Sequence, residues 1–297
     1  MNELKDKNSI IIKLNGGLGN QMFQWALARM LQVVTGMDIY LDMSYFDKNY
    51  ARPYQLNVFR IKPNKIEDSA TKLKLKVIWT LRSFLNEKKF LGYTLYSEKQ
   101  FNFEKRISKI APNTYIEGFF QSELYFGCID NDLRDDFQFV ELLEGANKKI
   151  IDKLKTLESI SIHVRRGDYV QKKRYENIYA SCGLDYYKRA VDYIAQRCNQ
   201  EPALLIFSDD IEWVKKNLKL EYPCTFVSHN NGSQSYKDMQ LMSLCTHNII
   251  ANSSFSWWGA WLNKNPNKIV VAPKKWFNDE EIVQTDVIPK TWVQLDN

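Results

Sequence analysis

The chain has 297 residues, 44% of them hydrophobic and 26% charged, which is typical of globular proteins and is enough for two domains. It contains no run of about 18 apolar residues and no apolar region near the N-terminus, so neither a membrane span nor a signal peptide is expected. The five cysteines are scattered without a Cys-x-x-Cys pair, which argues against a disulfide framework or a zinc knuckle. We therefore expect a cytoplasmic protein with reduced thiols.

A strand, a glycine loop and a helix are predicted at the N-terminus. Ser9–Leu14 is a short apolar run, and Gln21–Thr35 has the pattern of a helix that ends at Gly36. The loop between them contains three glycines, and such loops let a ligand approach the backbone N–H groups at a helix start. It is neither a P-loop nor a Gly-x-Gly-x-x-Gly motif. Tight packing of strand against helix, without a ligand, is an equal alternative.

Most of the formal charge of +6 lies in one segment, because Lys62–Lys109 contains 12 basic and five acidic residues. Within it, Thr71–Leu91 has leucine and isoleucine at helical spacing, flanked by lysine and arginine. This pattern fits a domain helix with a solvated basic face, or a helix on an anionic membrane surface. We favour the first alternative and expect at most weak, salt-sensitive attachment at the inner membrane. No nucleic-acid-binding module is recognisable.

Strands are predicted at Asp38–Leu41 and Thr114–Phe120. Asp130–Asp136 contains an Asp-x-Asp sequence of the kind that holds a divalent metal in many sugar-nucleotide enzymes, but we interpret it as an exposed acidic loop. Val140–Leu157 has the pattern of a charged helix and marks a natural boundary. The expected domains are therefore residues 1–157 and 158–297.

From residue 159 onward, predicted strands alternate with predicted helices. The strands are Ser159–Val164, Ala203–Ser208, Cys224–Val227, Asn248–Ala251 and Lys268–Ala272, and the helices are Asp185–Cys198, Ile211–Leu218, Tyr236–Leu244 and Phe255–Leu262. Apolar strands separated by amphipathic helices predict a parallel sheet covered on both faces. Such sheets bind ligands at the carboxyl ends of their strands, and polar residues follow four of these strands.

The strongest of these polar clusters follows Ser159–Val164. His163 and Arg165 should point to the same side of the chain, and arginine matches phosphate oxygens with a charged, bidentate fork. A surface ion pair between Arg165 or Arg166 and Asp168 is the alternative interpretation.

Two further strand ends could bind a ligand or could simply cap helices. Asp209 and Asp210 could cap the next helix or accept hydrogen bonds from a nucleoside. Ser253 and Ser254 lie at the start of a helix, where a diphosphate would be favoured but ordinary capping is common. His229 and His247 have no metal-ligand partners at useful spacing, so we interpret these histidines as structural.

Several segments together resemble bacterial α-1,2-fucosyltransferases that use GDP-fucose and invert the configuration of the sugar. They are Gly16–Gln24, Gly118–Ser122, His163–Tyr169, Leu184–Tyr187, Ser208–Asp210 and Ser254–Ala260. In this order they are highly specific and span nearly the whole chain. The clearest departure is Trp25, where the family more often has tyrosine.

The resemblance implies an α/β fold of GT-B architecture, with two Rossmann-like domains and the active site in the cleft between them. Residues 1–157 would form the acceptor side, and residues 158–297 would bind GDP-fucose. Arg165 would hold the β-phosphate, and His163, with Asp209 or Asp210, the guanosine. Asn20 would approach the donor from the opposite wall. Gly17, Gly19, Gln21, Ser253, Ser254 and Ser256 complete the set expected at the donor.

The implied reaction is a single displacement in which the 2-hydroxyl of a terminal β-galactoside attacks the anomeric carbon and GDP leaves. Asp168 would take the acceptor proton or, alternatively, orient Arg165 or Arg166. No metal is expected, since arginine and a helix terminus supply the positive charge. A fucosyltransferase of another linkage and a non-catalytic GDP-binding module are the alternatives. The sequence does not identify the full acceptor.

Overall fold

A computed structural model describes residues 8–47, 52–85, 87–167 and 180–297. The chain forms two compact units, each built around one six-stranded sheet. The first unit comprises Met1–Val140 with Thr285–Val287, and the second comprises Glu141–Gln284 with Ile288–Asn297. The chain therefore passes from the first unit to the second, returns briefly near its C-terminus, and ends in the second.

The strands and helices of the first unit follow the chain in a mixed order. They are β1 (Ser9–Lys13), α1 (Leu18–Thr35), β2 (Asp38–Asp42), β3 (Asn64–Lys65), α2 (Ser69–Thr80), α3 (Arg82–Leu85), β4 (Lys89–Phe90), β5 (Tyr93–Ser97), β6 (Thr114–Glu117) and α4 (Asp130–Asp136). Short 3₁₀ helices lie at Leu56–Val58, Lys105–Lys109, Glu123–Tyr125 and Gly127–Ile129.

The first sheet has the strand order β3-β2-β1-β6-β5-β4, and all neighbours are parallel except β4 and β5. Every residue of β1 is buried, as expected for a central strand of a parallel sheet covered on both faces. From β1 the chain runs outward through β2 to β3, then crosses to β4 at the far edge and runs inward through β5 to β6, which lies beside β1.

Four features of the first unit differ from the sequence-based expectation. The helix pattern over Thr71–Leu91 is divided, because α2 ends at Thr80, α3 ends at Leu85, and Lys89–Phe90 forms β4. Helix α1 begins at Leu18 rather than at Gln21, because Gly17 already has the extended backbone of an N-cap residue. Strand β6 ends at Glu117, because the backbone of Gly118 (φ 155°) and Phe120 (φ 55°) leaves the extended conformation. Residues Asp130–Asp136 form a helix rather than a loop, and Leu133 of this helix is buried.

The elements of the second unit alternate regularly, as the sequence predicted. They are α5 (Gly145–Leu154), β7 (Ser159–Val164), α6 (Leu184–Ala195), β8 (Ala203–Ser208), α7 (Ile211–Asn217), β9 (Cys224–Val227), a 3₁₀ helix (Gly232–Gln234), α8 (Tyr236–Leu244), β10 (His247–Ile249), α9 (Ser254–Leu262), β11 (Val270–Pro273) and β12 (Val293–Leu295).

The second sheet is entirely parallel, with the order β9-β8-β7-β10-β11-β12. Numbered from β7, this is the 3-2-1-4-5-6 order of the doubly wound dinucleotide-binding fold, and the order reverses between β7 and β10. One face packs on α6 through residues such as Tyr186 and Ile194, and the other on α8 through Leu241 and Met242. The prediction of a parallel α/β sheet covered on both faces is confirmed.

Helix α5 belongs to the second unit by packing. Its Ile150, Ile151 and Leu154 lie against the buried cluster that contains Leu205 and Phe207 of β8. The division between the units thus falls between Val140 and Glu141, ahead of this helix. The assignment of separate functions to residues 1–157 and 158–297 stays a prediction.

The short return to the first unit is anchored by a hydrogen bond and a buried side chain. Asp286 Oδ2 accepts a hydrogen bond from the backbone N–H of Phe103 at 2.8 Å, and Val287 is fully buried.

None of the helices in the described part of the chain is long and apolar enough to cross a bilayer.

Candidate active site

The polar residues that follow β7 and β8 lie together at the carboxyl edge of the second sheet. The two strands pair in parallel over their whole length, with Val164 opposite Ser208, so the residues that follow them come out side by side. This edge also adjoins the reversal of strand order next to β7. The sequence therefore predicted correctly that His163, Arg165 and Asp209 share one edge.

His163 is buried near the end of β7 and is 7% exposed. Its ring centroid lies 5.8 Å from that of Phe255, at the start of α9. Among the residues that the structure describes, no group hydrogen-bonds to its Nδ1. Burial lowers the pKa of His163 to about 4; Asp209 opposes this shift and Arg165 adds to it. The ring is therefore neutral at physiological pH, with a buried nitrogen that a ligand could satisfy.

Arg165 and Asp209 form a close ion pair, with Nη1 of Arg165 2.6 Å from Oδ2 of Asp209. The two side chains are 19% and 25% exposed, so the pair is largely shielded from water. Burial acts to raise the pKa of Asp209, but Arg165 and the backbone N–H groups of Arg166 and Gly167 hold it below its usual value. The carboxylate stays charged and fixes the direction of the guanidinium. The alternative ion pair, of Arg165 or Arg166 with Asp168, involves a residue outside the described part of the chain and stays a prediction.

Gly167 is required here for space rather than for an unusual backbone angle. A Cβ atom at this position would lie 2.6 Å from Oδ2 of Asp209. The same carboxylate accepts a hydrogen bond from the N–H of Arg166 at 2.9 Å. Asp209 therefore holds both the turn after β7 and the side chain of Arg165. Any residue larger than glycine at position 167 would displace the Asp209 carboxylate.

Arg166 takes a different direction from Arg165, as the alternation along a strand predicts. Its guanidinium lies over the ring of Trp213, 3.3 Å from the ring centroid, and its Nε is 3.6 Å from Oδ2 of Asp210. Asp210 caps α7, since its Oδ1 accepts from the N–H of Trp213 at 3.3 Å. Asp210 thus caps a helix, and its assignment to the guanosine, as an alternative to Asp209, stays a prediction. Trp213 was not identified from the sequence.

The serines at the start of α9 have different environments. Ser253 is the N-cap residue, and its side chain makes no capping hydrogen bond. Ser256 is buried and donates its hydroxyl to the carbonyl of Ser253 at 3.3 Å, so this hydroxyl serves the helix rather than a ligand. The prediction for Ser256 is therefore corrected, whereas those for Ser253 and Ser254 stay predictions. The first turn of any helix has N–H groups without intrahelical partners, and these suit a phosphate.

The first unit has its own polar edge, where β1 and β6 end. Asn20, in the first turn of α1, accepts a hydrogen bond from the side-chain amide of Gln121 at 2.9 Å. Gln24 ties the same two loops together, because it donates to the carbonyl of Gly118 and accepts from the N–H of Asn15. These contacts fix the position of Asn20 within its unit. They connect the segment Gly16–Gln24 to the segment Gly118–Ser122 in space.

Gln21 is not free to bind a donor. Its side chain is fully buried, and its amide donates to the carbonyls of Gly16 and Pro53, both at 2.9 Å. Its oxygen accepts from the N–H of Gln55 at 2.9 Å. All these bonds pin the loop near residue 53 to the glycine loop, which corrects the predicted role of Gln21. Gly17 and Gly19 lie at the N-terminus of α1, as predicted, and their contact with a ligand stays a prediction.

Glu98 is a residue of this edge that the sequence did not reveal. It follows β5, and its two oxygens accept hydrogen bonds from the N–H groups of Phe119 and Phe120 at 2.7 and 3.0 Å. Burial raises the pKa of Glu98 to about 7, although both N–H groups act to lower it. Glu98 therefore supports the turn that presents Gln121 to Asn20. Recognising β5 beside β6 would have placed Glu98 at this edge.

Two groups of side chains in the described part of the chain are of the kind that can bind a metal ion. Asp130 and Asp132 of α4 lie near Arg134 and Arg29, at 2.8 and 3.5 Å, so both carboxylates already face cations. That Asp130 and Asp132 do not form a metal site stays a prediction.

The second group, at the amino edge of the second sheet, consists of Glu158, Cys198 and His247, whose ligand atoms lie within 4.8 Å of one another. Nδ1 of His247 accepts from the N–H of Ile269 at 3.0 Å, so a neutral ring carries its proton on Nε2. That nitrogen lies 3.6 Å from Glu158 and is a donor, whereas a metal needs its lone pair. His229 contacts Asn147 at 2.8 Å. Both histidines thus have partners within the protein.

Asp168, the predicted base or orienting group, lies outside the described residues.

Similarity to known proteins extends over the whole chain. The family described as "Glycosyl transferase family 11" matches residues 1–296. The alpha-1,2-colitosyltransferase of Escherichia coli is 34% identical over 294 residues, which cover 97% of this chain and 99% of that protein. The O-antigen biosynthesis glycosyltransferase WbnK of Escherichia coli is 33% identical over 306 residues, covering 95% and 99%.

More distant similarity is found in eukaryotes. The human galactoside alpha-(1,2)-fucosyltransferase 1 is 25% identical over 161 residues, covering 51% of this chain and 43% of the human protein. The structure of a mutant of Arabidopsis thaliana FUT1 in complex with GDP superposes with a TM-score of 0.53 at 10% identity, covering 89% of this chain and 70% of that one. This last similarity concerns the fold alone.

Proposed function

Because the chain belongs to glycosyl transferase family 11, we propose that it transfers L-fucose from GDP-β-L-fucose to the 2-hydroxyl of a terminal β-galactoside. The configuration at the anomeric carbon inverts, and the product has an α-1,2 linkage. The names of two relatives, alpha-1,2-colitosyltransferase and galactoside alpha-(1,2)-fucosyltransferase, support the linkage. The structure supports an α/β fold with parallel sheets, and the arrangement of the two units as a GT-B cleft is part of the proposal.

The observation that carries the proposal is the group formed by His163, Arg165 and Asp209. It combines a buried imidazole nitrogen without a hydrogen-bond partner in the described residues with a guanidinium held in place by a carboxylate. Both lie at the carboxyl edge of the second sheet, beside the reversal of strand order, where doubly wound folds bind nucleotides. A neutral His163 would hydrogen-bond to the guanosine, and Arg165 would bind the β-phosphate.

In the proposed reaction, the bond from the anomeric carbon to the β-phosphate oxygen breaks as the acceptor oxygen attacks from the opposite face. Positive charge develops on the sugar ring, and negative charge grows on the leaving diphosphate. Arg165 would neutralise that growing charge, assisted by the N-terminal turn of α9. The fixed position of Arg165 matters, because a group that is already oriented needs no rearrangement during the reaction.

Two residues complete the proposed mechanism. Asn20, which Gln121 holds in place, would contact the donor from the first unit. Asp168 would accept the proton of the acceptor hydroxyl or orient a neighbouring arginine. In this proposal the chain uses no metal, since its own cationic groups face the diphosphate.

A second donor is suggested by the 34% identity to the alpha-1,2-colitosyltransferase. Colitose is a fucose that lacks the 3-hydroxyl group, so an enzyme could distinguish the two sugars only through contacts with that hydroxyl. A site built to hydrogen-bond this group would reject the deoxy sugar strongly, whereas a site without such a contact would accept both. Turnover with GDP-fucose and with GDP-colitose on the same β-galactoside decides between these donors.

The proposal is tested first by ligand binding. A ligand that binds only the folded state raises the melting temperature in proportion to its occupancy. We expect GDP to raise it clearly and UDP and ADP to raise it little, and Arg165→Lys to reduce the GDP effect. Arg134→Lys, which alters an ion pair with Asp130 in the first unit, is the matched control. Equal effects of all three nucleotides would contradict the guanosine assignment.

The second test is transfer itself. The protein is incubated with GDP-fucose and with β-galactosides that differ beyond the terminal sugar, and the linkage of the product is determined by NMR. An α-1,2-linked product supports the proposal, whereas another linkage would identify a different fucosyltransferase. Binding of GDP without turnover on any acceptor would indicate a non-catalytic module.

A further inference from the structure

Helix α2 uses only part of its apolar surface to pack on the first unit. Leu75 and Ile78 are buried and contact the cluster that includes Ile11 and Tyr115 of the first sheet. Asp68 caps the helix, since its side chain accepts from the N–H of Thr71. Leu75 and Ile78, which formed part of the predicted helix pattern, are therefore core residues. For this face of the helix, the interpretation as part of the domain is correct.

The opposite face of α2 carries a second row of apolar residues that the sequence pattern did not separate from the first. We call Leu73, Val77, Leu81 and Phe84 the outer stripe. Leu73, Leu81 and Phe84 are 63%, 36% and 79% exposed, and Val77 is partly exposed. Residues four apart lie about 40° from one another around a helix, so Leu73, Val77 and Leu81 share one side. The N–H of Leu81 still bonds to Val77, and Phe84 follows in α3.

Basic residues flank the outer stripe. Lys72, Lys74 and Lys76 are exposed, and no acidic residue occurs between Ser69 and Leu85. Arg82 belongs to the inner face, because it lies over Trp79 and pairs with Glu117. The lysines therefore supply most of the positive charge around the stripe.

We propose that the outer stripe docks on the surface of an anionic lipid bilayer. Apolar side chains at one side of a helix, flanked by lysine and free of acidic residues, are the pattern of helices that lie in a membrane interface. The long lysine side chains can extend toward lipid headgroups while Leu73 and Phe84 enter the acyl boundary. A protein partner would need an acidic surface around an apolar groove, whereas a bilayer offers both features everywhere. This inference does not depend on the proposed reaction.

The size of the effect follows from these residues. Each lysine near an anionic surface strengthens binding about fivefold at low salt, equivalent to about 1 kcal/mol. Replacing all three by glutamine should therefore weaken it about a hundredfold. Inserting one large apolar side chain contributes about tenfold, and this part is insensitive to salt. Salt should weaken the attachment without changing the apolar part.

The test measures binding of the full chain to vesicles by co-sedimentation. Vesicles of phosphatidylcholine alone are compared with vesicles of phosphatidylcholine and phosphatidylglycerol in equal amounts, at low and high salt. The variants are Leu73→Ser with Phe84→Ser, and Lys72→Gln with Lys74→Gln and Lys76→Gln. The matched control is Leu142→Ser, which removes an apolar side chain that is 81% exposed in the second unit. Thermal unfolding of each variant confirms that it is folded.

We expect the wild type and the control to bind the anionic vesicles and not the neutral ones. The apolar double variant should bind at least tenfold more weakly at every salt concentration, and the lysine variant should lose binding chiefly at low salt. Equal binding to neutral and anionic vesicles, or a double variant that binds like the wild type, would overturn the proposal. So would size-exclusion chromatography that shows a dimer which the double variant abolishes, if the wild type does not bind vesicles, because the stripe would then contact a second copy.

Discussion

The contact between Arg165 and Asp209 provides the most direct test of the site. If Asp209 acts on the reaction by holding Arg165, its effect on turnover should disappear once Arg165 is absent. We therefore consider Arg165→Ala, Asp209→Asn and the combined variant. Asparagine keeps an oxygen for the N–H of Arg166 but loses the charge that faces the guanidinium.

The expected magnitudes follow from the geometry. Loss of a charged group that stabilises the leaving diphosphate typically lowers turnover by about a hundredfold to a thousandfold. We expect that loss for Arg165→Ala and about a tenfold loss for Asp209→Asn, equivalent to 1.4 kcal/mol. The combined variant should lose no more than Arg165→Ala. Because the pair is largely shielded from water, breaking it should also lower the free energy of unfolding by about 2 kcal/mol.

A matched control separates catalysis from stability. Arg29 lies 3.3 Å from Asp136 in the first unit, and these side chains are 28% and 21% exposed. Arg29→Ala should lose stability of the same order but keep its turnover. The assays are steady-state kinetics with GDP-fucose and urea unfolding. Near-normal turnover of a folded Arg165→Ala, or losses of turnover that add in the combined variant, would refute the reasoning. Arg165→Lys should stay strongly impaired, because lysine lacks the bidentate fork.

Three more predictions concern support of the site, metal and pH. Glu98→Gln leaves one of the N–H groups of Phe119 and Phe120 without an acceptor, so unfolding experiments should show a loss of about 1–3 kcal/mol. In kinetics the same variant should raise KM for GDP-fucose more than it lowers kcat, because Glu98 supports the turn whose Gln121 holds Asn20, and a change in kcat alone would contradict that expectation. Transfer should survive EDTA, and a loss that Mg²⁺ or Mn²⁺ restores would show that a metal was overlooked. Because burial holds the pKa of His163 at about 4, the unfolded chain binds this proton first on acidification. The contribution of His163 to stability should therefore fall as the pH is lowered from about 6.5 to 4, by up to about 1.4 kcal/mol per pH unit, whereas Glu98, whose pKa is raised, acts in the opposite direction. Urea unfolding should show that His163→Gln loses less stability than the wild type over this pH range, and an unchanged difference between the two proteins would contradict the assignment.

The second unit could be predicted from the sequence because β8 and β11 are nearly continuous apolar runs and helical patterns alternate with the strands. A strand buried on both faces needs no other signal, and the helix bounds of α8 were predicted to the residue. Short edge strands gave no comparable signal. β3 and β4 have two residues each, and β12 has three, so the pairing with a neighbouring strand, rather than the local sequence, determines their conformation.

The positions of the candidate residues were predicted where they depend on strand ends, whereas the contacts between their side chains were not. Arg165 and Asp209 were expected at one edge, but their direct contact depends on the register between β7 and β8. The role of Asp210 as a helix cap was one of two open alternatives, and the structure shows this capping contact. Gln21 follows the glycine loop, where a residue that binds the donor is expected. Its amide instead donates to the carbonyl of Pro53, 32 residues further along the chain.

The return of Thr285–Val287 to the first unit also affects how the chain folds as it is made. Synthesis proceeds from the N-terminus, and domains usually fold in that order. Here the N–H of Phe103 receives its acceptor, Asp286, only when almost the whole chain has been synthesised. The space filled by Val287 remains unoccupied until then. The first unit should therefore reach its final stability after the second has emerged from the ribosome, and a chain that stops at Gln284 should leave the first unit incomplete.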